Sequence, residues 1–389
     1  MVTLIRNGDV FAPEPLGRKD VLVAGGVIAA VADPGRIRVE GLEADVVDAA
    51  GKRVLPGLID PHVHILGGGG EGGPATRAPE IRIEDIVSSG VTTVIGCLGT
   101  DGVTRHMTSL LAKARALEIE GVSAFIYSGS YEIPVRTLTG SVRSDLILID
   151  KVVGAGEIAV SDHRSSQPTF DEIARLAAEC RVGGMLGGKA GVLHLHLGDG
   201  KRRLEFLFRL IRETEIPVTQ VIPTHINRNP QLFEHGLEWA AAGGSVDVTV
   251  GPDPEPGDPE VRPEDAIARF IGADLPLTRM MMSSDSNGSL PVFDASGRLV
   301  RLTIATERDF LRKFAEIIGK KVLPVETAVR VFSTNAADFY KLGKKGRIEP
   351  GRDADLIVLD AGLGLSEVIA RGKRLMAGGK LLAKGTFSA

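Results

Sequence analysis

Cysteine is almost missing from this chain. Cys97 and Cys180 are the two in 389 residues, and their spacing fits neither a disulfide framework nor a metal knuckle. Cys97 falls in a predicted buried strand and Cys180 late in a predicted helix, so both read as small core residues. Aromatics are scarce at 4%, which leaves the core to aliphatic side chains. No apolar run reaches the roughly 20 residues of a membrane span, and Met1 to Arg6 lack the charged-then-apolar layout of a signal peptide. A cytoplasmic protein without a membrane partner is expected. A surplus of one charge is lacking too: 46 Lys and Arg stand against 50 Asp and Glu, so nothing in the balance calls for nucleic acid. Short repeats and low-complexity segments, which would signal a solenoid or a disordered tract, are not seen either.

Glycine, in contrast, is abundant at 48 residues, much of it where apolar runs hand over to loops. Residues 1–55 alternate apolar and polar positions between turn signals at Asn7-Gly8-Asp9, Gly25-Gly26 and Gly51-Lys52. Residues 345–389 have the same texture. Neither end can bury a core alone, so one small β-sandwich built from both termini is expected. Between them, over 56–344, strand, loop and helix repeat. Candidate strands end near His64, Leu98, Tyr131, Glu157, His196, His225, Val250 and Ser284. Amphipathic helices are predicted over Met107–Ile119, Phe170–Cys180, Leu204–Thr214, Gln231–Ala242 and Phe310–Ile318. Eight such units predict an α/β fold, a TIM-like (β/α)8 barrel. The rival is an open doubly wound sheet. The barrel is preferred because candidate chemical residues follow many different strand ends, and a barrel gathers those ends into one mouth.

The stretch Leu55 to His64 centres the chemistry. Side chains two apart on a strand share a face, so His62 and His64 project together, as a zinc-type metal requires. A pair of buried, backbone-bonded histidines is the bland alternative. Asp60-Pro61 and the glycine run 67–70 favour the metal, since they put the pair at a strand end opening into a loop. A second same-face pair, His194 and His196, lies on strand five. His225 closes strand six and Asp285 follows the apolar run of strand eight. Glu71 is the lone acid of a glycine loop, open to a cationic group or merely solvated. Tyr131 brings a phenol to a strand end. Thr100 and Ser289 offer hydroxyls, and Arg164 and Arg228 offer forks for carboxylates or plain surface ion pairs. His106, His163 and His235 do not fit the ligand pattern and read as surface or helix residues.

These stretches, from the first strand motif through Ser161-Asp162-His163-Arg164 to the end of the chain, resemble the amidohydrolase superfamily and within it the isoaspartyl (beta-aspartyl) dipeptidases. The resemblance implies two zinc-like ions. One would be held by His62, His64 and Asp285 and the other by His196 and His225, the choice of His196 over His194 resting on the family's pattern. It departs at Glu157, where the family has a carboxylated lysine that bridges the metals. Lys151 cannot replace it, because six residues at ~3.3 Å each put it roughly 20 Å away. Glu157 is a carboxylate already and is expected to bridge, with Gly154 and Gly156 letting the backbone come close. The resemblance further implies Asp285 as proton carrier and Tyr131 as donor to the developing oxyanion. It assigns Glu71 to the substrate amine, Arg164 and Arg228 to its carboxylates, and Ser289 to a substrate contact, with Thr100 a further hydrogen-bonding candidate. The substrate would be a dipeptide with an isoaspartyl linkage, and the assembly a homo-oligomer, often an octamer. Two rivals remain. One is another amidohydrolase acting on cyclic amides or N-acyl groups, of the dihydroorotase, hydantoinase or deacetylase kind. The other is a non-catalytic scaffold, which would have eroded ligands.

Overall fold

The structure, a computed structural model, describes residues 2–255, 257–294 and 296–388. From Leu58 onward strands alternate with helices. Numbered in chain order these strands are β1 (Leu58–Val63), β2 (Val91–Gly96), β3 (Ser123–Ser128), β4 (Val152–Val160), β5 (Val192–Leu197), β6 (Val221–Thr224), β7 (Val246–Thr249) and β8 (Met280–Ser283). Strands β1 to β6 pair in parallel in chain order, and β7 pairs in parallel with β8. Their residues are buried on both faces, so they read as apolar runs rather than alternating ones. The sheet curls until its edges meet the second pair. On one seam the His64 amide donates to the Ser286 carbonyl at 2.9 Å. On the other the Thr224 hydroxyl donates to Asp247 at 2.6 Å. The result is an α/β architecture around a curled parallel sheet.

The helices Met107–Glu120, Glu205–Glu213, Pro230–Ala241 and Glu307–Gly319 lie close to their predicted bounds. One helix runs past its expected end at Cys180 to Gly187. It starts from a reciprocal cap between Thr169 and Glu172 and buries Ile173, Leu176, Ala177 and Cys180 at helical spacing. Gly183 and Gly184 look like a stop in the sequence, yet they are contact points: a Cβ at Gly184 would lie 2.7 Å from the Gly191 Cα.

Among the described residues both chain ends share one nine-stranded sheet, with Val2–Phe11 against Arg53–Pro56 and that strand against Leu356–Leu359. Ile5, Val21, Ile28, Val54, Leu356 and Ile369 bury a core of their own there. One expectation needs correction. Asn7-Gly8 is no hairpin turn but a bulge inside one strand, with Asn7 at φ 59° and its amide on Asp20 at 2.9 Å. The pairing is also mixed, because Thr3–Arg6 runs parallel to Asp45–Asp48. An antiparallel hairpin, Ser289–Phe293 with Leu299–Ile304, follows β8 and was not foreseen. Among the described residues no helix is long and apolar enough to cross a membrane.

Candidate active site

Six side chains converge at the C-terminal ends of the parallel strands, and none is more than 7% exposed. Glu157 is their centre. Its Oε2 lies 3.2 Å from His62 Nε2 and 3.1 Å from His196 Nδ1, and its Oε1 lies 3.3 Å from His64 Nε2. His225 Nε2 is 3.7 Å from the same Oε2. Asp285 Oδ1 is 2.9 Å from His64 Nε2 and 3.6 Å from His62 Nε2. Glu157 does not end its strand as expected, for β4 continues to Val160. Lys151 is remote, paired with Glu118.

The backbone is bent to make this cluster. His225 and Asp285 follow β6 and β8 with φ of 59° and 53°. Left-handed backbone costs a residue with a Cβ about 1–2 kcal/mol, and such outliers gather at functional sites. Glycines give the rings room. A Cβ at Gly99 would lie 2.5 Å from His64 Cε1, one at Gly288 would lie 2.8 Å from His64 Cδ2, and one at Gly156 would lie 2.8 Å from His194 Cβ. Gly154 and Gly156 do bring backbones together, though it is β4 against β5 that they let close.

The charges call for a cation. Burial pushes His62 and His64 down, but their neighbours Glu157, Cys97 and Asp285 outweigh it and hold both imidazoles well above the ordinary range. Burial works against Glu157 and Asp285 as well, yet the surrounding histidines, His62 foremost, hold both carboxylates well below their usual range. His62 Nε2, Glu157 Oε1 and Asp285 Oδ1 are buried without hydrogen-bond partners. An unsatisfied buried polar atom costs about 1–3 kcal/mol, more when charged. Imidazoles and carboxylates in this number suit a divalent metal of the zinc type, so the residues fit the ions expected of them.

Each histidine is also held from behind. His62 Nδ1 meets Thr224 Oγ1 at 3.3 Å, and that hydroxyl donates to Asp247 at 2.6 Å. His225 Nδ1 meets Thr249 Oγ1 at 2.6 Å. His196 Nε2 meets Asp162 Oδ2 at 3.0 Å. Cys97 is a buried core residue as expected, and its Sγ also lies 3.7 Å from His64 Nδ1, within a ligand-type group with His62, His64 and Glu157. Cys180 is a core residue as expected. His194 lies under the cluster, stacked 4.6 Å over Tyr127, with both ring nitrogens unpartnered. Asp162 and Asp247 escaped the sequence reading. Asp162 lies within Ser161-Asp162-His163-Arg164 without a role of its own in the sequence, and Asp247 has no signal beyond an acid in an apolar strand.

Beside the cluster lies a second, more open group. The Ser289 hydroxyl donates to Glu71 Oε1 at 2.8 Å, Thr100 to the same oxygen at 3.1 Å, and Arg164 Nη1 to it at 3.3 Å. The glycine loop before Glu71 is tied down by buried Arg105, which donates to the Gly68 carbonyl at 2.7 Å. Tyr131 Oη is 2.9 Å from His196 Nδ1, and its phenol is pushed well above its usual range by burial and then by Glu157. Arg228 donates to the Leu197 carbonyl at 3.0 Å and faces a cavity of about 630 Å³. Leu290 and Phe293 of the hairpin line that cavity, and so does His163, whose ring meets Phe293 edge-on at 4.6 Å. His163 is thus exposed on the cavity wall, His106 is exposed just before the helix Met107–Glu120, and His235 lies within the helix Pro230–Ala241, so the three are surface or helix residues as expected.

Histidines and carboxylates at the C-terminal ends of a curled parallel sheet define an amidohydrolase-type, metal-dependent hydrolase. Known proteins agree. A model of the "Amidohydrolase family" matches residues 266–382. An adenine deaminase from Halalkalibacterium halodurans is 26% identical over 97% of this chain, which spans only 58% of that protein's length. A D-hydantoinase structure, 18% identical, superposes over 100% of this chain and 98% of its own with a TM-score of 0.70 and shares the fold. A beta-aspartyl dipeptidase from Fervidobacterium islandicum AW-1, solved in complex with beta-Asp-Leu dipeptide, is 46% identical over 99% of both chains, with a TM-score of 0.94. The chain belongs to the beta-aspartyl dipeptidase family of the amidohydrolases.

Proposed function

We propose that this protein hydrolyses dipeptides joined through the side-chain carboxyl of aspartate. The observation that carries the reading is the pairing of Glu71 with Arg164 beside the histidine cluster. An isoaspartyl residue keeps both its α-amine and its α-carboxylate free, and a carboxylate next to a guanidinium complements that zwitterion. Glu71, steadied by Thr100 and Ser289, would take the amine and Arg164 the adjoining carboxylate. Arg228, facing the cavity, would take the carboxylate of the leaving residue. A cyclic amide such as a hydantoin carries no such zwitterion and leaves both charges unanswered.

His62, His64 and Asp285 would hold one ion and His196 and His225 a second, with Glu157 between them; zinc is the expected metal. Bound there, the ions supply Lewis acidity and lower the pKa of a water toward neutrality. Asp285 stays ionised and takes the proton of the attacking water, then delivers it to the leaving amine as the amide C–N bond breaks. Tyr131 keeps its proton and donates to the carbonyl oxygen as negative charge develops on it. The histidines' rear partners fix which ring nitrogen faces inward.

The same reading takes the curled sheet of residues 56–344 as a closed (β/α)8 barrel, supported by the hydrogen bonds on both seams. It takes residues 1–55 with 345–389 as a β-sandwich, supported by their separate core. A cytoplasmic homo-oligomer, with eight copies as the expected number, is checked by light scattering. The functional test is release of free amino acids from β-Asp-Leu, run beside a hydantoin, a dihydroorotate and an N-acetylated amino acid. Turnover of β-Asp-Leu alone is expected; preference for a cyclic amide or N-acyl substrate would replace this reading with the rival amidohydrolase one.

A further inference from the structure

Asp162 closes the gap between the two halves of the site. Both its oxygens are engaged and its side chain is 4% exposed. Oδ2 receives Arg164 Nη2 at 2.8 Å and faces His196 Nε2 at 3.0 Å. Oδ1 receives Arg164 Nε at 3.1 Å and the Arg164 backbone amide at 2.7 Å. The guanidinium is thus forked onto one carboxylate, while its remaining amino group reaches Glu71 at 3.3 Å.

The carboxylate is itself pinned. It follows Ser161, which has φ of 53°, and the chain at Gly198 presses so closely that a Cβ there would lie 2.6 Å from the Asp162 Cα. Gly200 donates its amide to the Ser161 carbonyl at 2.7 Å. Asp162 cannot shift without moving β5, which carries His196.

We propose that Asp162 is a positioning residue that fixes the His196 ring and the Arg164 guanidinium through one shared carboxylate. The proposal rests on the roles given above to His196 and Arg164. A single oxygen shared by both partners ties their positions to each other. The tautomer that puts the His196 proton on Nε2 leaves Nδ1 as the inward-facing lone pair, and the same oxygen sets the angle at which Arg164 meets a substrate carboxylate. If Asp162 merely competed for the guanidinium, its removal would free Arg164 and improve substrate binding. If it positions the guanidinium, its removal weakens binding. The sign of the change in KM separates the two.

The test compares the zinc-loaded enzyme with its Asp162→Asn and Arg164→Lys variants. KM and kcat are measured for β-Asp-Leu and for the analogue whose aspartyl α-carboxylate is a carboxamide, and zinc loss to a chelator is timed. In Asp162→Asn the preference for carboxylate over carboxamide is expected to fall about tenfold through a raised KM. Zinc retention is expected to weaken by about 10- to 100-fold. Arg164→Lys should lose the same preference and keep its zinc. If Asp162→Asn does not fold, Asp162→Glu is read in the same way, since it keeps the charge but misplaces it. A lowered KM, an unchanged preference or unchanged zinc retention would overturn the proposal. An unmutated enzyme that fails to cleave β-Asp-Leu overturns the functional reading instead.

Discussion

The two halves of the site are built on opposite plans. The histidine half stands on strand ends: His62 and His196 lie in the last residues of β1 and β5, His64 and His225 directly follow β1 and β6, Asp285 lies just past β8, Glu157 sits inside β4, and every one is nearly sealed from water. The charge-recognition half stands on loops: Glu71 follows a glycine run, Arg164 a turn after β4, and Ser289 opens a hairpin. The first half is buried and its charges answer one another. The second half opens on the cavity, and its charges are partly spent on each other, Arg164 on Glu71 and Asp162. On the function proposed above, one half would hold ions and the other would exchange an internal ion pair for contacts with a zwitterion. Chemistry and selectivity should therefore break separately under mutation.

The largest separation is expected at Asp285. With Asp285 as the proposed proton carrier and metal ligand, Asp285→Asn should lower kcat by on the order of 10⁴ while the fold persists. Turnover near that of the unmutated enzyme would remove Asp285 from the chemistry. Glu71→Gln touches the other half. KM for dipeptides with a free amine should rise by about 10- to 100-fold, and KM for their N-acetylated forms should barely move. Equal losses on both would mean that Glu71 does not bind the amine.

Acid should separate the halves next. His62 and His64 hold their protons above the ordinary histidine range, and those protons must leave before a metal can bind. Zinc affinity is thus expected to rise with pH, by more than about tenfold per unit below neutrality because both rings deprotonate. A zinc titration with a pH-independent endpoint between pH 5 and 7 would contradict the raised imidazoles. The smallest effect belongs to Glu260. Burial pushes its carboxyl up to about 7 although Arg228 opposes the shift. Above that pH Glu260 gains a charge and competes for Arg228, so KM for β-Asp-Leu should rise a few-fold between pH 6 and 8. Glu260→Gln should flatten that rise.

The same contrast governs what could be read before the structure. The strand-borne half was legible because period-two spacing places His62 and His64 on one face and because ligands at strand ends announce themselves in apolar runs. The loop-borne half showed its residues but not their partners: nothing in the spacing says that Arg164 turns back onto Asp162, since that contact depends on the Ser161 turn and on Gly198 pressing from β5. Cys97 packs in the core as expected, but its contact with His64 was not legible, because a buried residue looks the same in sequence whether it faces the helices or a ligand ring. In the terminal sheet the bulge at Asn7 carries the same residues as a turn, and only pairing with the strand at Pro15–Ala24 distinguishes them.

The central claim is that Glu157 supplies from the chain the bridging charge that a carboxylated lysine supplies elsewhere in the family. The direct measurement strips the protein of metal, depletes carbon dioxide, restores zinc with or without bicarbonate, and follows bound metal together with β-Asp-Leu hydrolysis. Two zinc ions per chain and full activity at the same rate in both arms are expected. A clear bicarbonate requirement would contradict the bridging role of Glu157.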